Sequence, residues 1–288
     1  MPAARSYLYV PGDKPEVLAK ALGRGADALI VDLEDAVAPG AKDEARDVVR
    51  RFLADLPAAV EGEVELWVRV NGDGLAGRDI EAVASPALTG FCLAKTESPD
   101  DVDAAAEACG RAEDALGLPP GTFALAPLLE SASAVLDARA IASASPRVVR
   151  LQVGEADLRA DIGVTLGQDE RELLHVRSSI VLASAAAGIE PPVGPVSTNF
   201  RDLDALRDST QALARLGYRG RACIHPAQAA VVNAVFTPSE DELAAARSLI
   251  ERYDAALAAG EGVFTDDNGR MVDLAVIRQA RRTLALAR

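Results

Sequence analysis

The chain has 288 residues, 49% of them hydrophobic, which is enough to bury one large core. Its 44 acidic and 30 basic residues give a net charge of −14, which argues against a nucleic-acid-binding protein, because such proteins depend on many Lys and Arg contacts to phosphate. The N-terminal segment has no long apolar region and no apolar run approaches about 18 residues, so we expect a soluble, cytoplasmic protein. Cys92, Cys109 and Cys223 are odd in number and scattered, so we expect no structural disulfide.

Eight short apolar runs alternate with amphipathic stretches rich in Ala and Leu. This pattern is typical of repeated strand–helix units around a parallel sheet, and eight strands are the number that a closed (β/α)₈ TIM barrel needs. A doubly wound open sheet is the alternative. Three prolines, at positions 191, 192 and 195, limit the pairing of the seventh strand. We predict the strands at 6–10, 28–32, 65–70, 90–94, 123–128, 148–153, 193–197 and 221–224.

The chain beyond the eighth strand is interpreted as a C-terminal helical extension. We predict a barrel catalytic domain over residues 1–235, followed by an extension over 236–288 that packs on the barrel or on a neighbouring subunit. Ser239 and Glu242 form a capping-box pattern at the start of a helix. Asn268 and Gly269 favour a tight turn, and a final helix is predicted to run towards the end of the chain.

Two acidic residues, Glu130 and Asp157, each follow a short apolar run that is typical of a buried parallel strand. Carboxylates at successive strand ends can converge on one cation, and Mg²⁺ prefers one or two carboxylates completed by water and substrate oxygens. A zinc site is disfavoured, because the chain has only two histidines and no paired cysteine motif. The alternatives are a solvated loop carboxylate for Glu130 and a helix cap for Asp157.

Further polar side chains follow the other strands, where (β/α)₈ enzymes carry their active sites. Arg69 lies in a predicted buried strand, where an unpaired charge is costly. It therefore either serves the site or forms an ion pair with Asp32 or Glu34. His225 either contacts substrate or bonds to backbone, and His175 is interpreted as a packing histidine. The remaining residues of this strand-end set are Asp13, Lys14, Asp35, Asn71, Lys95 and Glu155.

Nine segments follow one another in order along nearly the whole chain. They are LYVPGDKP at 8–15, VDLEDAV at 31–37, VRVN at 68–71, LAKTES at 93–98, LLES at 128–131, GEADL at 154–158, HVRS at 175–178, CIHPAQ at 223–228 and GRMVD at 269–273. Each segment alone is a weak signal, but nine in sequence are specific. Together they resemble the citrate lyase β-subunit family, which includes malyl-CoA and citramalyl-CoA lyases.

The resemblance implies a Mg²⁺-dependent (β/α)₈ enzyme, usually trimeric, that cleaves a 3-hydroxyacyl-CoA or acyl-carrier thioester by a retro-Claisen step. It makes Glu130 a metal ligand and substrate neighbour, Asp157 the second ligand, and Arg69 the residue that binds the α-keto acid. Lys14 and Lys20 match residues that bind the CoA phosphates. The carboxylates Asp32, Glu34 and Asp35 are predicted to orient Arg69 and metal-bound water.

Asp273 matches an aspartate that related lyases place over the active site of a neighbouring subunit, where it exchanges a proton with the acetyl-CoA carbon. Its alternative role is to cap the final helix. We therefore expect a homo-oligomer with a composite site. The leading hypothesis is cleavage of citryl-CoA to acetyl-CoA and oxaloacetate. The alternatives are a malyl- or citramalyl-CoA lyase, a thioesterase, and a non-autonomous subunit of a citrate lyase complex.

Overall fold

The computed structural model describes residues 4–57, 64–266 and 269–287. They divide into two compact units, one over Ala4–Asn233 and a C-terminal unit that begins at Ala234. The predicted packing of residues 236–288 on the barrel or on a neighbouring subunit stays a prediction. None of the helices formed by the described residues is long and apolar enough to cross a membrane.

The first unit is a closed barrel of eight parallel strands, with β1 paired to both β2 and β8. The predicted TIM barrel is confirmed, and the open-sheet alternative is wrong. The strands are β1 Ser6–Pro11, β2 Ala28–Asp32, β3 Glu65–Val70, β4 Gly90–Leu93, β5 Ala124–Leu129, β6 Gln152–Val153, β7 Val193–Gly194 and β8 Gly220–Cys223. The helices of this part are α1 Pro15–Ala21, α2 Lys42–Ala54, α3 Ala76–Val83, α4 Pro99–Leu116, α5 Ala132–Leu136, α6 Ala138–Ser143, α7 Glu155–Ile162, α8 Leu174–Ala187, α9 Leu203–Leu216 and α10 Pro226–Phe236, the last of which continues past Asn233.

The sixth and seventh strands are shorter than predicted. Gln152 and Val153 alone form β6, while Val148 makes an isolated bridge to Leu125. The β7 strand ends at Gly194, directly before Pro195, whose missing N–H cannot extend the ladder. The prediction was therefore right in the number and order of the strands and wrong in the length of β6 and β7. The ends of β1, β4, β5 and β8 differ from the predicted ones by a single residue.

The barrel interior is filled by side chains of unequal size. Tyr7 and Trp67 are almost fully buried and pack with small residues such as Ala28 and Ala222. The guanidinium of Arg150 lies 5.3 Å from the ring centre of Tyr7 and 5.4 Å from that of Trp67, so it stacks on both. This filled interior gives a rigid support for the residues at the carboxyl ends of the strands.

The C-terminal unit contains two helices and a small hairpin. Ser239 and Glu242 form the predicted capping box at the start of α11, Glu240–Ala258. Antiparallel strands β9, Phe264–Thr265, and β10, Met271–Val272, precede α12, Leu274–Ala285. The predicted turn at Asn268 lies outside the described residues. The core of this unit is a cluster of Tyr253, Val272 and Ile277.

Candidate active site

A cavity of about 460 Å³ opens at the carboxyl ends of the barrel strands. Parallel register brings residues from distant parts of the chain to one level of the wall, since Pro11 pairs with Asp32 and Asp32 with Arg69. Three of the predicted site residues, Arg69, Glu130 and Asp157, line this one cavity. It is therefore the candidate active site.

Arg69 is held in place by a bidentate salt bridge to Asp32. Its Nε and Nη2 donate to the two carboxylate oxygens of Asp32 at 2.7 and 2.6 Å. Asp32 also accepts backbone N–H bonds from Glu34 and Ala36 at 2.9 and 3.1 Å, so both its oxygens are held in place. Burial alone would lower the pKa of Arg69, but the hydrogen bonds and charge of Asp32 outweigh it and raise that pKa above its usual value. The predicted ion pair is present, and it also aims the guanidinium at the cavity.

Glu34 and Lys95 extend this network. Nη1 of Arg69 lies 3.1 Å from a Glu34 oxygen, and the ammonium of Lys95 bonds to the other Glu34 oxygen and lies 3.5 Å from Asp35. Lys95 has a φ of 49°, in the left-handed region that non-glycine residues rarely adopt. In that conformation its backbone N–H donates to Oε2 of Glu130 at 2.8 Å. Lys95 thus connects the Arg69 network to the candidate metal ligand.

Glu130 is a buried carboxyl, with 5% of its surface exposed. Burial raises its pKa to about 7; the Lys95 N–H and the charge of Arg69 oppose this rise, and the charge of Asp157 adds to it. The backbone of Gly154 packs against the same side chain, because a Cβ built there would lie 2.4 Å from Oε1 of Glu130. A buried carboxylate pressed against glycine and repelled by a neighbouring carboxylate gains stability from a cation between them.

Asp157 lies in the first turn of α7, whose N-cap is Gly154 and has no side-chain cap bond. The cap alternative for Asp157 is therefore wrong. Its side chain is exposed to the cavity and makes no hydrogen bond or ion pair within the described part of the chain. Across the described ranges, no group of three or more His, Cys, Asp and Glu side chains could hold a metal ion. Two carboxylates with room for other oxygens fit the modest protein ligand set of Mg²⁺ and not a four-ligand zinc site.

Glu155 follows β6, as predicted, but its carboxylate is engaged elsewhere. It accepts bonds at 2.6 and 2.7 Å from Nε and Nη2 of Arg177, a residue on α8. This bidentate salt bridge connects α7 to α8 beside the cavity. Glu155 therefore helps to hold the first turn of α7, which carries Asp157, in place.

The two predicted CoA-binding lysines lie on the first strand–helix unit. Lys14 precedes α1, is about half exposed, and pairs with Asp13 at 3.3 Å. Lys20 is exposed in the last turn of α1. Both ammonium groups reach solvent, and their contact with CoA stays a prediction.

The two histidines have different surroundings from those of a catalytic pair. His225 accepts the N–H of Ala227 on Nδ1 at 3.2 Å and stacks on Phe200, with ring centres 5.1 Å apart. The structure therefore agrees with the alternative prediction that His225 bonds to the backbone. His175 is exposed on α8, so its interpretation as a packing histidine was wrong.

Asp273 caps α12 through its side chain. Its Oδ1 accepts the N–H groups of Ala275 and Val276 at 2.9 and 3.1 Å. The alternative prediction, that Asp273 caps the final helix, is therefore confirmed. The predicted catalytic role of this residue in a neighbouring subunit stays a prediction.

Several contributors to the site had no role assigned from the sequence. Tyr9 lies under Arg69, with the guanidinium 5.0 Å from the ring centre, and its hydroxyl donates to Oε1 of Gln152 at 3.1 Å. Both are polar residues inside strands that are otherwise apolar, and that signal could have identified them. Two other features leave no such signal in the sequence, because they depend on the folded geometry. They are the close fit of Gly154 to Glu130 and the left-handed backbone of Lys95.

Comparison with known proteins shows similarity along the whole chain. Citrate lyase subunit beta of Leuconostoc mesenteroides subsp. cremoris is 34% identical over 98% of this chain and 93% of its own length. The (3S)-malyl-CoA thioesterase of Cereibacter sphaeroides strain ATCC 17025 is 36% identical over 98% and 94%. The crystal structure of CitE from Mycobacterium tuberculosis with magnesium, acetoacetate and coenzyme A is 32% identical, covers 100% of this chain and 99% of that chain, and has a TM-score of 0.79. The family described as HpcH/HpaI aldolase/citrate lyase matches residues 5–226. The chain belongs to the HpcH/HpaI aldolase/citrate lyase family.

Proposed function

We propose that this chain is a Mg²⁺-dependent carbon–carbon lyase that cleaves a 3-hydroxyacyl-CoA thioester to acetyl-CoA and an α-keto acid. The observation that carries the proposal is one cavity that contains the carboxylates Glu130 and Asp157 beside the fixed guanidinium of Arg69. The similarity to CitE crystallised with magnesium, acetoacetate and coenzyme A supports it. Citryl-, malyl- and citramalyl-CoA are the candidate substrates.

Glu130 and Asp157 would hold the metal, with substrate and water oxygens as the other ligands. When bound there, Mg²⁺ supplies Lewis-acid polarisation of the carbonyl oxygen of the keto acid. The N–H of Lys95 keeps Oε2 of Glu130 in a fixed direction, and Gly154 keeps space for that carboxylate. These contacts orient the ligands before substrate arrives, which lowers the cost of assembling the site.

Arg69 binds the carboxylate of the keto-acid part and stabilises the oxygen on which charge develops. A guanidinium offers a planar fork of donors and stays charged at any working pH. Because Asp32 holds two of its donor atoms, the direction of the remaining donors is set without a further loss of side-chain entropy. This preorganised charge would stabilise the transition state more than the ground state.

In the cleavage step, the bond between the hydroxyl-bearing carbon and the adjacent thioester-bearing carbon breaks. The hydroxyl proton passes to solvent water as the keto group forms, and the electron pair of the broken bond passes to the thioester fragment to give its enolate. The enolate then takes a proton on carbon, so that one proton is released and one is taken up. We assign that last proton to Asp273 of a neighbouring subunit, on the strength of the family resemblance alone. Lys14 and Lys20 would hold the CoA phosphates. No oxidant or reductant is needed.

The test is release of keto acid from citryl-, malyl- and citramalyl-CoA by the purified protein with Mg²⁺. At least one thioester should be cleaved, and chelation of Mg²⁺ should stop the reaction. Glu130→Gln and Asp157→Asn should each weaken Mg²⁺ binding in calorimetry and lower the rate by at least about a hundredfold. Asp103→Asn, at an exposed site on α4, is the control. No cleavage of any thioester by metal-loaded protein contradicts the proposal.

Hydrolysis of the thioester is a second candidate function, because the chain is 36% identical to a protein named (3S)-malyl-CoA thioesterase. The same cavity could admit water after the acyl-CoA is bound. Free CoA thiol that appears without keto acid would favour this function over cleavage of the carbon–carbon bond.

A further inference from the structure

A second cavity lies beside the candidate active site. Its volume is about 610 Å³, and it is bordered by α7, the loop between α7 and α8, the segment after β7, and α9. Glu155, Ala156 and Val196 line both cavities, so the two are neighbours. All the residues that line the second cavity belong to the barrel unit. The proposed lyase reaction gives this space no role.

Arg221 reaches the second cavity from β8 and is a buried charge without a carboxylate partner. Only 3% of its surface is exposed. Its Nε donates to the carbonyl oxygen of Pro195 at 3.0 Å, and its Nη1 donates to the hydroxyls of Ser209 and Thr210 at 2.8 and 2.7 Å and to the carbonyl oxygen of Leu206 at 3.3 Å. These acceptors are all neutral. Within the described residues, Nη2 has no hydrogen-bond partner and no acidic side chain forms an ion pair with this guanidinium. A buried charge without a counter-ion is costly.

The pKa of Arg221 reflects the same lack of a counter-charge. Burial lowers this pKa below its usual value, and the nearby charges of Glu170 and Glu155 do not restore it. Burial acts on Arg69 and Arg177 in the same direction, but a carboxylate bonded to each of them outweighs it and raises the pKa. The chain therefore supplies these two arginines with an anion and leaves Arg221 without one.

Two further arginines bring unpaired guanidinium groups to the second cavity. Nε of Arg159, on α7, is buried and has no hydrogen-bond partner. Arg215, in the last turn of α9, is exposed. Neither arginine forms an ion pair with any residue that the structure describes. Ser197 and Thr198, which follow β7, add hydroxyl donors to the same space.

The carboxylates around the second cavity are mostly engaged. Three of the four form salt bridges with arginines, and these are Glu155, Glu170 and Asp169. The two glutamates share Arg177, and the aspartate pairs with Arg171. Asp208, exposed on α9, is the fourth and has no basic partner among the described residues. With Arg171 included, five arginines therefore face four carboxylates, in a chain whose net charge is −14.

We propose that the second cavity binds a phosphate group, with Arg221, Arg159 and Arg215 as its cationic ligands. A phosphate monoester has three acceptor oxygens and a charge of about −1.5 to −2 at neutral pH, whereas a carboxylate has two oxygens and a single charge. Guanidinium groups from three separate elements suit the larger number of oxygens. The group is either free inorganic phosphate or the phosphate monoester of CoA. The inference concerns binding alone, so it does not depend on the proposed lyase reaction.

Calorimetric titration of the metal-free protein with inorganic phosphate is the first test. We expect a dissociation constant below about 1 mM, and an affinity for acetate that is at least about tenfold weaker. Arg159→Gln combined with Arg215→Gln should weaken phosphate binding by at least about tenfold. The control is Arg207→Gln, at an exposed position of α9 that does not line the cavity, and it should bind phosphate as the native chain does. No saturable binding by the native chain, or equal binding by the double variant, would overturn the inference.

The second test separates binding by Arg221 from its packing role. A ligand that binds only the folded chain raises the melting temperature, and phosphate at about ten times its dissociation constant should raise that of the native chain by about 3 °C. Arg221→Met fills a similar volume without the charge and should lose this rise, whatever its own starting temperature. An equal rise in Arg221→Met would be the general effect of the salt on stability and would overturn the inference. If Arg221→Met does not fold, the rise measured in the double variant of Arg159 and Arg215 decides in the same way.

Competition with CoA distinguishes the two sources of the phosphate. If the site holds the phosphate monoester of CoA, saturating CoA should abolish the binding of inorganic phosphate, and dephospho-CoA should leave it unchanged. If the site holds free phosphate, neither compound should change the affinity. Both results support a phosphate site in the second cavity, and they differ in the molecule that fills it.

Discussion

At the scale of single residues, Arg69 shows that a structural and a functional interpretation need not compete. The sequence predicted either a site residue or an ion pair, and the structure has a guanidinium that is bonded to Asp32 and also lines the cavity. An ion pair that satisfies the buried charge is also what orients it. The buried arginine could be identified from the sequence because an apolar strand rarely contains an unpartnered charge.

Arg69→Lys should lower kcat/KM by about 10² to 10³, because an ammonium keeps the charge but loses the planar fork that Asp32 holds. Steady-state kinetics on whichever thioester is cleaved measures the effect. Arg78→Lys, at an exposed ion pair with Asp43, is the matched control and should leave the rate unchanged. A threefold effect or less at Arg69 would contradict its assigned role.

Gly154→Ala should weaken Mg²⁺ binding by about 10- to 100-fold, because the added Cβ would lie 2.4 Å from Oε1 of Glu130 and displace that carboxylate. Calorimetric titration with Mg²⁺ measures this. The control is Gly77→Ala in α3, where the new Cβ has no neighbour closer than 3.7 Å. Unchanged Mg²⁺ affinity in Gly154→Ala would mean that Glu130 does not bind the metal.

At the scale of elements, the number, order and approximate position of the strands could be predicted, and their exact ends could not. Runs of mostly apolar residues identify β2 and β3 to the residue, because β2 is buried along its whole length and β3 is buried from Leu66 to Val70. The ends of β6 and β7 depend on hydrogen bonds to neighbouring strands, which no local pattern contains. The site itself depends on one such detail, since the Lys95 N–H reaches Glu130 only because the chain leaves β4 with a positive φ.

Glu113 joins α4 to the start of β5 and should make stability depend on acid pH. Burial would raise its pKa, but bonds from Arg147 and from the N–H groups of Phe123 and Gly121 lower it to about 2 from an ordinary value of 4.5. Because the pKa of this carboxyl group is lower in the folded chain than in the unfolded chain, its ionised form stabilises the fold. This contribution to the free energy of unfolding is complete above about pH 4.5 and is lost as the pH falls towards about 2. Urea unfolding across this range should show the loss.

Glu113→Gln should cost about 3 kcal/mol at neutral pH, because it leaves a mostly buried Arg147 without its partner. The difference from the native chain should shrink between about pH 4.5 and about 2. Glu107→Gln, at an exposed position of the same helix, should change stability by less than about 0.5 kcal/mol. A difference in the free energy of unfolding that does not change with pH would show that the ionised Glu113 carboxylate does not stabilise the fold.

Asp273→Asn separates capping from catalysis. Asparagine caps a helix about as well as aspartate, so the N–H groups of Ala275 and Val276 keep an acceptor and the melting temperature should change little. Loss of the carboxylate should lower the rate by about two to four orders of magnitude. A normal rate per folded molecule would leave Asp273 as a cap only.

At the scale of the whole molecule, closure of the barrel brings together Asp32 of β2, Arg69 of β3, Glu130 after β5 and Asp157 in the first turn of α7. The positions of these residues could be predicted because parallel strands carry their carboxyl ends on one side. The charge balance of the cavity could not, because it depends on which side chains pair with one another. The arginines and lysines near the strand ends are mostly neutralised by neighbouring carboxylates.

A composite site would have a distinct signature in mixed oligomers. If Asp273 acts in a neighbouring subunit, co-expression of Arg69→Lys chains with Asp273→Asn chains should restore activity, since some sites then receive both native residues. Random assortment predicts roughly a quarter of the native activity. Activity no greater than that of the two variants expressed alone would argue for complete sites within single chains.

We propose above that this site breaks a carbon–carbon bond with the help of Mg²⁺. The most direct measurement quantifies keto acid, acetyl-CoA and free CoA thiol together, from citryl-, malyl- or citramalyl-CoA, with Mg²⁺ and after its chelation. We predict one keto acid for each acetyl-CoA, no early free thiol, and no reaction after chelation. Free thiol in step with substrate loss and without keto acid, or an undiminished rate after chelation, would contradict the claim.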